Sequence, residues 1–138
     1  MQRFFRTTFL FLFLLITLSL TACQSNPQEI KKVKDLDFTV VEEADVPEAL
    51  LELINQKKNE PFCLTYKNAD AYYLCQGFGT QPNGGYSITV EELFLGEDSI
   101  YIKNTLLGPG KDELVAQTAT HPYIVVKIER MDYPVVFQ

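Results

Sequence analysis

Apolar residues recur with two different periods along the chain. Val46, Leu50, Leu53 and Ile54 fall at helical spacing and make one apolar stripe. Asp45 stands where an N-cap would, Pro47 suits a first turn, and Glu48 follows three residues after Asp45. Lys57 and Lys58 favour the negative end of the helix dipole, and Pro61 forbids continuation. The pattern predicts a helix over Pro47–Lys58 that packs through Leu50, Leu53 and Ile54. After it the period changes to two. Phe62–Tyr66 and Ala71–Phe78 flank a turn-prone Lys67-Asn68-Ala69-Asp70. Tyr86, Ile88 and Val90 alternate with polar residues, and Leu93-Phe94-Leu95 continues that strand through a bulge at Glu91-Glu92. Ser99–Leu106, Tyr123–Glu129 and Tyr133–Phe137 read as further strands, and Leu36–Val41 as a first one. Short strands separated by turn clusters predict a mainly β fold: an antiparallel sandwich or open barrel with one short helix packed on it.

The first twenty-two residues follow neither period. Arg3 and Arg6 precede Phe9–Leu20, an almost wholly apolar run too short for a comfortable membrane span of about 20 residues. This is the layout of an export signal. Leu20-Thr21-Ala22-Cys23 resembles the lipobox of bacterial lipoproteins. The resemblance implies cleavage before Cys23 and diacylglycerol on its sulfur, which attaches the protein to a membrane. Polar residues with Asn26-Pro27 as a breaker follow. The expected organisation is a lipoprotein signal peptide at 1–22, a flexible tether at 23–35, and a single β-rich domain at 36–138. The expected location is the bacterial cell envelope, lipid-anchored on the outer side of the cytoplasmic membrane or to an outer membrane.

Charge narrows the partners. The 138-residue chain has a formal charge of −6; without its first twenty-two residues, ten basic residues face eighteen acidic ones, a charge of −8. Such a chain has no electrostatic footprint for nucleic acid.

Candidate chemistry is sparse. The sequence has one histidine, no tryptophan and no nucleophile-elbow, zinc-protease, Walker or dinucleotide motif. Neighbouring carboxylates such as Glu91-Glu92 point to opposite faces of a strand and cannot share a proton. His121 precedes Pro122 and is held extended, either as a surface loop residue or as a proton-transfer group. Cys63 and Cys75 are symmetric about Ala69. A hairpin loop with an odd number of residues would set them opposite each other and allow a disulfide; otherwise they are free, buried thiols. Two sulfurs and one distant histidine do not make a metal site, and no cofactor is expected.

The most distinctive stretch is Gly77–Val90, G-F-G-T-Q-P-N-G-G-Y-S-I-T-V. Pro82, Asn83, Gly84 and Gly85 are turn formers, and Tyr86 anchors the foot of the following strand. The stretch reads as a β-turn or as a recognition loop whose glycines admit a partner close to the backbone. The run Gly77-x-x-x-x-Pro82-Asn83-Gly84-Gly85-Tyr86-Ser87-Ile88 resembles the P-T-G-G-Y-S-I signature of PrcB-type C-terminal domains, with Asn83 in place of Thr. Gly108-Pro109-Gly110, then Thr120-His121-Pro122-Tyr123 opening a valine-rich strand, fits the same pattern. The resemblance covers Phe62–Phe137. It implies a bacterial lipoprotein related to one that helps assemble or stabilise a surface protease complex. A weaker similarity links Pro82–Tyr86 to the N-P-T-T-G-Y loop of chagasin-type cysteine-peptidase inhibitors. Their R-P-W loop has no counterpart here.

The expected function is that of a membrane-tethered, non-enzymatic binding lipoprotein. It would engage an envelope or secreted protein, such as a protease, and stabilise, localise or restrain it. Pro82, Asn83, Gly84, Gly85, Tyr86, Gly108, Pro109, Gly110, His121, Pro122 and Tyr123 would form the contact surface. The alternative is a small-ligand-binding or enzymatic lipoprotein acting on cell-surface material.

Overall fold

The computed structural model describes residues 29–138. Cys23, the expected signal segment and the first part of the expected tether lie outside the described residues. The strands are β1 (Lys32–Asp35), β2 (Thr39–Val40), β3 (Pro61–Lys67), β4 (Ala71–Phe78), β5 (Ser87–Gly96), β6 (Ile100–Leu107), β7 (Tyr123–Glu129) and β8 (Val135–Phe137). One sheet has the order β1-β5-β6-β8 and the other β2-β7-β4-β3. All pairings are antiparallel except β6 with β8, which run parallel. Neither sheet closes into a barrel among the described residues, so the sandwich reading holds.

The two sheets and a helix, α1 (Glu48–Lys57), stack as three layers. Between the sheets lie Tyr72 and Leu74 of β4, Leu93 and Leu95 of β5, Ile100 and Ile102 of β6, and Ile124, Val126 and Ile128 of β7. On the opposite face of β4 and β7, Ala71, Tyr73, Cys75 and Val125 meet Val46, Leu50 and Ile54. Both strands are therefore buried on both faces. That explains why Ala71–Cys75 and Ile124–Val126 are continuously buried while the edge strand β3 alternates between exposed and half-buried.

The helix differs from expectation in two ways. Val46 precedes Pro47 and is extended, with ψ 132, because a proline disfavours the helical region for the residue before it. Asp45 consequently sits in a separate single turn, Glu43–Asp45, and is not the cap. Pro47 takes that position, and its carbonyl accepts the Leu50 and Leu51 amides, both at 2.9 Å. The second difference is Leu53, which is 38% exposed, while Leu50 and Ile54 are fully buried. Leu51 and Leu53 each stand about 80° from the midline of the Leu50–Ile54 stripe. Only the Leu51 flank packs on the core.

The N-terminal strand is also corrected. Lys32–Asp35, expected within the tether, pair with β5 as an edge strand. The chain then crosses to the other sheet, with the Leu36 amide bonded to the Leu93 carbonyl at 3.1 Å and Leu36 buried in the core. The expected Leu36–Val41 strand is only Thr39–Val40. The bulge in β5 is present, as a register shift between Val90 and Glu92.

Candidate functional site

β4 leaves its sheet at Phe78 and β5 begins at Ser87; β6 ends at Leu107 and β7 begins at Tyr123. Both connections lie at the same end of the sandwich, because Ser87 pairs with Leu107 and Gly77 with Tyr123. The two loops are zipped together. Gln81 and Thr120 exchange both backbone hydrogen bonds, at 2.8 and 3.0 Å. The Gly84 amide donates to the Ala116 carbonyl at 2.9 Å, and the Thr120 hydroxyl donates to the Asn83 carbonyl at 2.7 Å. The Phe78 amide donates to the Pro122 carbonyl at 3.0 Å, which ties His121–Tyr123 to the foot of the first loop. Of the three segments singled out in the sequence, Pro82–Tyr86 and Gly108–Gly110 come into contact, at Gly85 with Pro109 and at Tyr86 with Gly108, while His121–Tyr123 joins only the foot of the first loop.

The glycines serve this packing. Gly85 has φ 82, and a Cβ there would run into the Val115 side chain and lie 3.0 Å from Pro109 Cβ. Gly85 is the residue that lets the second loop cover the first. Gly84 does not carry a positive φ, and a Cβ on it would find ordinary contacts at 3.6–3.7 Å with Ala116. Asn83 is not an exposed tip: its Oδ1 is buried without a partner. Gly108 lies against the Tyr86 ring, whose Cε1 would be 3.4 Å from an added Cβ. Gly110 donates its amide to the Glu113 carboxylate at 3.0 Å, closing a turn at Gly110–Glu113.

His121, Pro122 and Tyr123 face a different neighbourhood. With Val40, Val41, Glu42 and Glu43 they line a shallow groove of about 340 Å³. The Tyr123 hydroxyl donates to the Glu43 carboxylate at 3.1 Å. Burial, reinforced by that hydrogen bond and the Glu43 charge, pushes the Tyr123 phenol up to about 12. A phenol held protonated in this way is a fixed donor, not a base.

The two cysteines and Glu91 lie elsewhere in the sheets. Cys63 pairs with Gln76 and Leu64 with Cys75, so the two sulfurs lie on opposite faces of the sheet and are not bridged. The reason is loop parity. The last pair is Lys67 with Tyr72, which leaves four residues between and puts the hairpin axis between Ala69 and Asp70 instead of on Ala69. Asn68 Oδ1 fixes that turn by accepting the Asp70 and Ala71 amides at 3.0 and 2.8 Å. Burial, and secondarily the nearby Cys63, pushes the Cys75 thiol up to about 12. Glu91 accepts the Thr105 hydroxyl at 2.6 Å and pairs with Lys103 at 2.9 Å, which hold its carboxyl below the usual range. Among the described residues no group of three or more His, Cys, Asp or Glu side chains could hold a metal ion.

Several residues of this end, Thr120 apart, carried no motif in the sequence. Val115, Ala116 and Thr120 hold the loops together, and Leu114 between them and the Gly110–Glu113 turn is fully exposed. The available signal was charge. No Asp, Glu, Lys or Arg occurs from Ala71 to Val90 or from Leu114 to Val126.

Residues 72–129 match the family model described as PrcB C-terminal. The match is narrower than Phe62–Phe137 and takes in most of β4, all of β5 to β7 and both zipped loops. No curated protein and no solved structure matches the chain.

Proposed function

Starting from the PrcB C-terminal-type domain at residues 72–129, we propose that this protein is a membrane-tethered, non-enzymatic binding lipoprotein. Its partner is an envelope or secreted protein, a protease being the first class to test, which it stabilises, localises or restrains. The observation that carries this reading is the pair of loops joined within the matched domain. They form a hydrogen-bonded end of the sandwich, while among the described residues Cys63 and Cys75 lie on opposite faces of a sheet and Glu91 is held by Thr105 and Lys103. Ordered loops on a rigid sheet scaffold are where binding residues concentrate. The Leu20-Thr21-Ala22-Cys23 sequence supports the tether and an address on the outer side of a bacterial membrane.

The test is crosslinking of the full-length protein in intact cells, followed by affinity recovery and mass spectrometry. One protein partner recovered in near-stoichiometric amount is expected, with extracytoplasmic proteases scored first. Turnover of envelope polymer or peptide by the purified protein, lost on His121→Ala, would overturn the reading in favour of an enzyme.

A further inference from the structure

We infer that the zipped-loop end is the membrane-distal end of the molecule, and that Leu114 is the side chain that seats in an apolar pocket of a partner protein. The inference rests on the tethered binding protein proposed above and assigns its contact surface.

The orientation follows from topology. β5 runs from Ser87, beside the loops, to Gly96, about 30 Å away at 3.3 Å per residue. β1 is antiparallel to it and enters at the far end, where Lys32 pairs with Gly96 and Lys31 forms an ion pair with Glu97 at 2.9 Å. The chain therefore arrives from Cys23 at the end opposite the loops. Nine residues of chain from Cys23 reach Lys32, a contour of at most about 30 Å. The membrane is held near the Gly96 end, and the loops face the aqueous phase.

Charge and exposure then select the surface. In an acidic chain, the loops 79–86 and 107–122 carry formal charge only at Lys111, Asp112 and Glu113. Depletion of charge is the compositional mark of an interface core, because charged groups are costly to desolvate. Leu114 has a relative exposure of 101%, whereas the next most exposed large apolar side chain among the described residues, Val33, reaches 58%. The Leu114 backbone is not loose. The Gly110–Glu113 turn holds it on one side, and on the other Val115 packs over Gly85 and Ala116 accepts the Gly84 amide. A projecting aliphatic group on pinned backbone loses little conformational freedom on binding, which is what an anchor residue needs. With the charged Lys111–Glu113 on one side and the uncharged Val115–Thr120 and Gly79–Tyr86 on the other, such an anchor fits an apolar depression on a protein surface that is bordered by polar groups on one edge. A lipid surface is at the other end of the molecule.

The test uses the full-length protein in its own envelope, with a photoactivatable amino acid at position 114, at 53 on the exposed flank of α1, or at 33 in β1. A protein adduct is expected from 114 and none from 53. The captured protein, identified by mass spectrometry and purified, is then titrated against the full-length lipoprotein in nanodiscs. Leu114→Glu should weaken binding at least about ten-fold with an unchanged melting temperature. Leu114→Met should bind within about three-fold of wild type, as should Leu53→Glu. Adducts from 114 only to lipid or to a second copy of this chain would overturn the inference. So would an adduct from 114 whose binding Leu114→Glu leaves intact. A protein adduct from 53 or 33 but not 114 would sink this surface while sparing the binding reading. No protein adduct from any position would sink both.

Discussion

Gly84 and Gly85 are neighbours with opposite tolerances. A methyl group on Gly85 meets a positive φ, the Val115 side chain and Pro109 together, whereas Gly84 offers ordinary contacts. Gly85→Ala should lower stability by about 1–3 kcal/mol. Gly84→Ala should be neutral or stabilise by about 0.4–1 kcal/mol through the unfolded state. Urea denaturation of the two variants checks both signs. The sequence located the loop but not this difference, because which glycine needs φ > 0 depends on Val115, thirty residues on and without a motif of its own. Tyr123 gives a residue-scale test of electrostatics. Its folded pKa, about 12, lies above the ordinary value of 10.0. The raised value favours the protonated phenol, so its contribution to stability is full below about pH 10 and is lost as pH rises through about 12. The difference in ultraviolet absorbance between wild type and Tyr123→Phe should titrate near pH 12. A midpoint at 10 would mean that neither burial nor Glu43 acts on the phenol.

The elements show where pattern reading succeeds and where it stops. Tyr123–Glu129 forms as read, with Ile124, Val126 and Ile128 on one face, because alternation is a property of the strand itself. The bulge after Val90 was visible for the same reason: Glu91-Glu92 interrupts the alternation. The buried flank of α1 was not visible. Leu51 and Leu53 are symmetric about the Leu50–Ile54 stripe, and the placement of the helix on β4 and β7 decides between them. Leu50→Ala and Ile54→Ala should each cost about 2–5 kcal/mol, and Leu53→Ala about 0.5 kcal/mol or less. The register of the β3–β4 hairpin was ambiguous too. A shift of one residue reverses every side chain, and the parity of a turn cannot be read from symmetry between two cysteines. With residues 29–138 under non-denaturing conditions, a thiol reagent should label Cys63 and spare Cys75 until the chain unfolds. Labelling of neither would indicate a bridge.

At the scale of the whole molecule the two ends of the sandwich differ in what they carry. One receives the chain from its N-terminal side and holds Lys31 paired with Glu97; the other holds the two joined loops, charged only at Lys111–Glu113, and Leu114. Mainly β architecture with one helix was legible from strand spacing alone. The joining of the loops was not, because it depends on Gln81–Thr120 and Gly84–Ala116 pairs between residues more than thirty positions apart. Cys23→Ala should leave an unprocessed precursor or release the protein from membranes, as seen by fractionation and mass spectrometry. Processing and partitioning like wild type would contradict the lipid anchor. The central claim is that the zipped loops are the binding surface, and backbone amide exchange measures it directly. The protein is compared in its native envelope and after purification to homogeneity. Amides of 79–86 and 107–122 should exchange more slowly in the envelope, while those of α1 are unchanged. Equal exchange of both loops in the two states would contradict the account.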